Sequence, residues 1–251
     1  MTWWHAVVIC IVGVWAGTIN TVVGSGTLVT FPVLVALGYP PVTATTSNAV
    51  GLAPGAIAGS IGYRAELTGQ GRRLVRLAVA SVFGAIGGTI LLLSLPPEAF
   101  ETVVPWLIVA ALVLVLLQPR VSAWVLHRQS DGAGYRGPLL FAMVFLIGIY
   151  GGYFTAAQGV MLVAVFGMLL HEPLQRLNGM KNVLSAVVNT VAGVIYAFIA
   201  PVSWPVIGLL AVSSTLGGLL GAKIGRKLPP AVLRGVIVVV GLVAVVKLVL
   251  D

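Results

Sequence analysis

A small set of polar residues interrupts a chain of 251 residues in which 59% are hydrophobic and only 8% charged. These residues are concentrated in two stretches, 20–48 and 155–182, and comprise hydroxyls, amides, glycines and one lysine. The candidate substrate-binding residues are Asn20, Gly24, Ser25, Gly26, Thr27, Ser47, Asn48, Thr155, Gln158, Gly159, Asn178, Lys181 and Asn182. Hydroxyls, amides and an ammonium donate hydrogen bonds without carrying negative charge, which suits a small oxyanion.

Two polar stripes at helical spacing carry several of these residues. One consists of Ala44, Ser47, Asn48, Gly51, Gly55 and Gly59, and the other of Asn178, Lys181, Asn182, Ser185, Asn189 and Gly193. For the glycines, close helix packing is the favoured interpretation. Buried amides and an ammonium are costly in lipid and usually face a cavity, so the amides indicate a cleft at mid-membrane. Lys181 has an alternative, because its long side chain could reach water at the membrane surface.

The glycine-rich sequences Gly24-Ser25-Gly26-Thr27 and Gln158-Gly159 each precede a short apolar segment. The free N–H groups and the positive dipole end of a helix N-terminus favour an anion there. All six acids, by contrast, lie in predicted loops or at the chain end: Glu66, Glu98, Glu101, Asp131, Glu172 and Asp251. Proton- and cation-coupled carriers commonly use a carboxylate within a span, so we expect an anion as substrate.

Ten apolar segments must position these residues. They lie at about 4–19, 26–38, 44–63, 74–95, 99–118, 138–154, 159–170, 178–199, 204–222 and 231–250. Eight are long enough to span a membrane, whereas the second and seventh cover only about 18 Å of an apolar core about 30 Å thick. The sequence therefore predicts an all-α polytopic membrane protein with eight long spans and two short broken or re-entrant helices.

The two halves of the chain are related by a nearly constant shift. A shift of 135 residues places Gly24 on Gly159, and a shift of 134 places Asn48 on Asn182. A shift of 133 places Gly84, Gly88 and the sequence Leu95-Pro96-Pro97 on Gly217, Gly221 and Leu228-Pro229-Pro230. We interpret 1–251 as a single transporter domain with repeat 1 at 4–118, a cytoplasmic linker at 119–137 and repeat 2 at 138–250.

The loop charges predict that the repeats are inverted. Four arginines follow the third segment, whereas the matching loop near Pro201 has no charge. Glu98 and Glu101 follow the fourth segment, whereas the matching turn is basic. Because positive loops stay in the cytoplasm, equivalent loops lie on opposite sides, which requires an odd number of crossings per half, and five crossings satisfy this. The same rule explains the formal charge of +8 without nucleic acid as a partner.

The chain resembles the sulfite exporter TauE/SafE family of bacterial membrane permeases over nearly its whole length. The resemblance rests on the stretches 17–52 and 148–184, which contain both glycine-rich breaks, and on LGGLLGAKIGRKLPP at 216–230. It implies export of sulfite, organosulfonates or related sulfur anions across the inner membrane of bacteria. A channel-like anion pathway and an uptake permease for another small anion are the alternatives.

Other functions receive less support. The chain has no HExxH motif and no His or acid pair within a predicted span, and Ser25 has no obvious base, so we expect no enzyme, no catalytic residue and no cofactor. Cys10 is the only cysteine, which excludes a cysteine-based metal site. The expected partners are a small anion and the lipid bilayer, and a homo-oligomer is left open.

The first prediction concerns topology. Single-cysteine labels placed near Arg72 and near Arg226 should both react from the cytoplasmic side, and labels near Glu98 and Val202 from the outside. Impermeant maleimides applied to cells and to inverted vesicles measure this. Labelling of the Arg72 and Glu98 positions from one side would contradict the inverted repeat.

Overall fold

The computed structural model describes residues 2–128, 137–224, 232, 235 and 237–242. Within these residues the protein is helical and contains no strand. The helices are α1 (Trp3–Val22), α2 (Thr27–Ala36), α3 (Pro41–Gly62), α4 (Gly71–Ser94), α5 (Pro97–Arg128), α6 (Gly137–Phe154), α7 (Gln158–Leu169), α8 (Leu174–Ile199) and α9 (Trp204–Ile224). A 3₁₀ turn at Arg64–Leu67 joins α3 to α4.

Six of the described helices are long and apolar enough to cross a membrane, namely α1, α4, α5, α6, α8 and α9. The predicted all-helical, multi-pass class is therefore confirmed. Helix α3 has 22 residues, about 33 Å, but it is less apolar because it carries the first polar stripe. Most of the tenth predicted segment, 231–250, lies outside the described residues.

The two short segments are short helices of 10 and 12 residues, α2 and α7. Most of their residues are buried within the protein, as the absence of water in a bilayer core requires for interrupted backbone. The ring of Phe31 in α2 packs edge-on against Phe154 at 5.2 Å and against Phe100 of α5 at 6.4 Å between centroids. These aromatic contacts hold α2 between α5 and α6.

Helix α5 extends beyond the sequence prediction. The linker was expected to begin at residue 119, but the helix continues through Pro119 to Arg128. An internal proline removes one backbone hydrogen bond and can bend a helix, yet it does not have to end one. The rest of the predicted linker, 129–136, lies outside the described residues.

Close backbone crossings organise the long helices, with α1 along α9, α4 along α6, and α3 between α8 and α9. A Cβ atom on Gly217 would collide with the carbonyl oxygen of Val14. A Cβ atom on Gly88 would collide in the same way with the carbonyl oxygen of Ile149. Glycine at these positions therefore lets the helix backbones touch.

Helices α3 and α8 run antiparallel to each other. A Cβ atom on Gly193, late in α8, would lie 3.2 Å from Cα of Val50, near the middle of α3. At the other end, a Cβ atom on Gly179 would lie 3.4 Å from the side chain of Tyr63, which follows α3. The start of α8 thus meets the end of α3, and a later part of α8 meets an earlier part of α3.

Candidate functional site

The break between α1 and α2 meets the break between α6 and α7 at two glycines. The N–H of Gly159 donates to the carbonyl oxygen of Gly24 at 3.1 Å. A Cβ atom on Gly24 would lie 2.5 Å from Cα of Gly159, which leaves no space for a side chain. Gly24 also has a φ of +92°, a backbone conformation that favours glycine. Because α2 and α7 begin next to this contact, two positive helix ends converge on it.

Lys181 lies beside the glycine contact and is completely buried. Its Nζ donates to the carbonyl oxygens of Asn20 at 3.2 Å and Thr21 at 2.9 Å. These carbonyls belong to the last turn of α1, the negative end of its dipole, so the ammonium caps that helix. The lysine does not reach the protein surface, which excludes the alternative stated from the sequence. The structure describes partners for two of its three N–H donors.

Five further polar side chains are buried with no hydrogen-bond partner for at least one polar atom among the described residues. They are Ser25, Gln158, Asn182, Ser185 and Asn189, each no more than 4% exposed. A buried polar group without a partner costs about 1–3 kcal/mol, and folded proteins leave few of them. These atoms therefore mark a place where a ligand or water is needed to complete the hydrogen bonding.

Two of these groups adjoin the glycine contact directly, because Ser25 follows Gly24 and Gln158 precedes Gly159 in the chain. A Cβ atom on Gly151 would lie 2.7 Å from Cδ of Gln158 and 3.0 Å from Cγ1 of Val188, so Gln158 packs next to α8. Ser185 follows Lys181 by four residues and shares its face of α8. The α6–α7 break and the polar face of α8 thus adjoin each other.

The matching residues of the first half are hydrogen bonded within the protein. Nδ2 of Asn48 donates to Oγ1 of Thr27 at 3.0 Å, and the Thr30 hydroxyl donates to Oδ1 of Asn48. The hydroxyl of Ser47 accepts a hydrogen bond from the N–H of Ser203 at 2.8 Å. The two asparagines that the sequence treated alike therefore have different surroundings.

The remaining candidates take supporting positions. Gly26 precedes α2, and a Cβ atom there would lie 3.0 Å from Cβ of Asn20. The hydroxyl of Thr155 donates to the carbonyl oxygen of Gly151 at 2.7 Å, which satisfies the end of α6. Asn178 is partly buried. Ser185 and Asn189 were on the predicted stripe but not among the candidates, although their helical spacing from Asn182 could have included them.

The surroundings of the site are electrostatically positive. None of the four described acids, Glu66, Glu98, Glu101 and Glu172, is buried. Lys181 is the one charged side chain that is fully buried among the described residues, and it is bound by carbonyl dipoles rather than by a carboxylate. The arrangement can therefore accept negative charge, with donors from a hydroxyl, amides and an ammonium.

Comparisons with known proteins agree with these features. Residues 9–248 match the family model described as "Sulfite exporter TauE/SafE". The chain is 25% identical over 98% of its length, and 94% of the relative's, to a "Probable membrane transporter protein" of Haemophilus influenzae. It is 25% identical to the "Probable membrane transporter protein YfcA" of Escherichia coli K12, covering 97% of this chain and 89% of that one. No solved structure is significantly similar.

The second prediction tests the glycine contact. Gly159→Ala should lower the yield of folded protein and destabilise it by about 1–3 kcal/mol, because the added methyl group collides with the backbone of Gly24. Gly208→Ala is the matched control, since a Cβ atom there meets nothing within 4 Å and alanine favours the helix. Thermal unfolding in detergent compares the two. Equal stability would show that the backbones do not touch.

Proposed function

Because the chain belongs to the sulfite exporter TauE/SafE family, we propose that it exports a small sulfur oxyanion, sulfite or an organosulfonate, across the bacterial inner membrane. Membership makes the protein a multi-pass membrane transporter, in line with the six apolar helices of spanning length in the described part of the chain. The choice of anion, the direction and the membrane are our proposal. The site described above supplies its physical basis.

One observation carries this proposal. The N-termini of α2 and α7 meet at Gly24 and Gly159, and an anion nearby would offset the repulsion between their like dipole ends. Buried and unpartnered side chains, Ser25 and Gln158, stand at the same two N-termini. Interrupted helices whose positive ends face an anionic substrate are a known arrangement in secondary transporters.

The proposed site is closed in this structure. The unpartnered side chains are at most 4% exposed, so a substrate reaches them only when the surrounding helices separate. Such a closed site between two halves is what alternating access requires of an occluded state. This favours a carrier over a channel-like pathway, which needs a continuous opening.

We also propose that the two halves are inverted repeats. Gly24 and Gly159, equivalent by the shift of 135, contact each other, as expected for residues close to a pseudo-two-fold axis. Helices α3 and α8 carry the equivalent residues Asn48 and Asn182, and they run antiparallel. Equivalent helices would be parallel if the repeats had the same orientation.

The glycine crossings give further support with one change of register. Val14 and Ile149 are equivalent by the shift of 135. The carbonyl oxygen of Val14 contacts Gly217, and the carbonyl oxygen of Ile149 contacts Gly88 in the same way. The sequence had paired Gly88 with Gly221, one helical turn away. Small residues four apart lie on the same helix face, so sequence matching alone does not distinguish the two registers.

The halves differ in how they use their equivalent polar positions. Thr27 and Thr30 form hydrogen bonds with the side-chain amide of Asn48. The residues equivalent to these threonines by the shift of 135 are Leu162 and Val165, which cannot form such bonds through their side chains. Asn182 therefore keeps an unpartnered Nδ2 atom. We propose that the second half supplies most of the donors to the anion and that the first half has a supporting role.

Transport needs no coupling ion in this proposal. The carbonyls of Asn20 and Thr21 at the end of α1 resemble the half-helix ends that bind Na⁺ in coupled transporters. Here the ammonium of Lys181 occupies them, so the protein carries its own cation beside the anion site. An inside-negative potential favours the exit of an anion by about 2.3 kcal/mol per charge per 100 mV.

The third prediction compares polar groups with and without partners. Ser185→Ala and Gln158→Leu should keep or raise stability, because they remove unpartnered buried groups, yet weaken anion binding about tenfold or more. Sulfite efflux from reconstituted vesicles measures transport, and thermal unfolding measures stability. If both variants transported sulfite at the parental rate, these side chains would bind water and not the anion.

Thr30→Val is the matched control for this comparison. It also deletes one buried hydroxyl, but one that donates to Asn48, so it should destabilise the protein by about 1–3 kcal/mol. Its turnover per folded molecule should stay near the parental value. A selective loss of turnover in Thr30→Val would place the anion in the first half instead.

The fourth prediction concerns the driving force. Sulfite efflux from vesicles should saturate with concentration and follow an imposed inside-negative potential, reaching about a 50-fold gradient per 100 mV for a monovalent anion. It should need neither a proton nor a sodium gradient. Lys181→Gln should raise the KM for sulfite. A strict gradient requirement would contradict uncoupled export, and unsaturable flux would indicate a channel.

A further inference from the structure

The start of α4 is unusually basic for a helix N-terminus. Arg72, Arg73 and Arg76 lie in its first two turns, where the positive end of the dipole disfavours cations, and its first turn contains no acid. The helix also has no side-chain cap. This concentration of positive charge attracts anions.

One of these arginines is neutralised within the protein. Arg73 binds Oε1 of Glu172 at 2.8 Å, and Arg176 binds the other carboxylate oxygen at 2.6 Å. Burial alone would raise the pKa of Glu172, but hydrogen bonds from Arg176, Arg73 and Gln70 together lower it below its usual range. One ionised carboxylate is thus shared by two arginines and has no charge left for Arg72 or Arg76.

Arg72 and Arg76 are exposed and form no ion pair within the described residues. Together with Arg73 they line a cavity of about 300 Å³. Arg73 and Arg76 also line a neighbouring cavity of about 450 Å³ between the starts of α4 and α6, whose other wall includes Pro138 and Phe141. These adjoining cavities combine guanidinium groups with an apolar wall.

An apolar stripe continues along α4 from the two arginines. Val79, Phe83 and Ile90 follow Arg72 and Arg76 at helical spacing on the same face and are 44–60% exposed. Because α4 is an apolar helix of spanning length, this face lies against acyl chains, and its N-terminal arginines lie at headgroup level. Basic cavities between spans at that level bind anionic lipid headgroups.

From this geometry we propose a binding site for an anionic phospholipid at the starts of α4 and α6, with its phosphate on Arg72 and Arg76 and an acyl chain along Val79 and Phe83. A free anion would use only the basic cavities. The exposed apolar stripe leading away from them favours a lipid. The site is separate from the proposed transport site and does not depend on the anion transported.

Native mass spectrometry of the delipidated full-length protein tests this site. Titration with dioleoyl phosphatidylglycerol should give a defined bound lipid, and the same titration with dioleoyl phosphatidylcholine should give much weaker binding. Arg72→Gln combined with Arg76→Gln should weaken phosphatidylglycerol binding about 30-fold, or about fivefold per arginine. Arg64→Gln is the matched control, since it removes a charge from the same connection but lines neither cavity, and it should bind lipid normally.

Three results would overturn the proposal. These are undiminished phosphatidylglycerol binding by the double variant, equal loss in Arg64→Gln, or inorganic phosphate binding as strongly as the lipid. Phe83→Ser provides the second arm, because it should weaken the lipid and leave any phosphate binding unchanged. Size-exclusion profiles and thermal unfolding verify that each variant is folded, so a loss of binding is not attributed to misfolding.

Discussion

Every backbone group in the interior of a membrane protein must find its hydrogen-bond partner within the protein, and this constraint shapes the centre of the molecule. Two helices are interrupted there, and each break would leave backbone groups without partners. One hydrogen bond joins the two breaks, from the N–H of Gly159 to the carbonyl oxygen of Gly24. Near the end of α1, Lys181 donates to two further backbone carbonyl oxygens. The short helices, the glycines and the buried lysine are therefore parts of one solution.

The same arrangement sets the electrostatics of the interior. Lys181 is held by the negative end of α1, so its charge is stabilised without a carboxylate. An acid at that position would have neutralised the ammonium and left the site indifferent to anions. Two positive helix ends next to an ammonium favour negative charge in this part of the interior. The unpartnered amides and hydroxyls can donate hydrogen bonds to the oxygen atoms of an anion.

Hydrophobic periodicity was sufficient to predict the helical class, the two short helices and the polar faces, because each depends on local spacing. Interactions between helices were less predictable. Asn48 and Asn182 look equivalent in sequence, yet only the structure reveals that Thr27 and Thr30 bind Asn48. The burial of Lys181 likewise depends on where α1 ends. Under the proposed repeat, Gly88 corresponds to Gly217 rather than to Gly221, and the sequence does not distinguish these registers because residues four apart share a helix face.

Leu162 and Val165 occupy the positions in the second half that Thr27 and Thr30 occupy in the first. This difference affects how the sequences of such a chain and its relatives can diverge. In a protein whose halves arose by duplication, each position exists in two copies, and one copy alone can meet the requirements of folding. If the two halves are the inverted repeats proposed above, the hydrogen-bonded Asn48 serves folding in the first half, and Asn182, whose Nδ2 atom has no partner among the described residues, can change with the anion that is transported. Specialisation of relatives for different anions would then accumulate in one half of the chain, while the other half changes slowly.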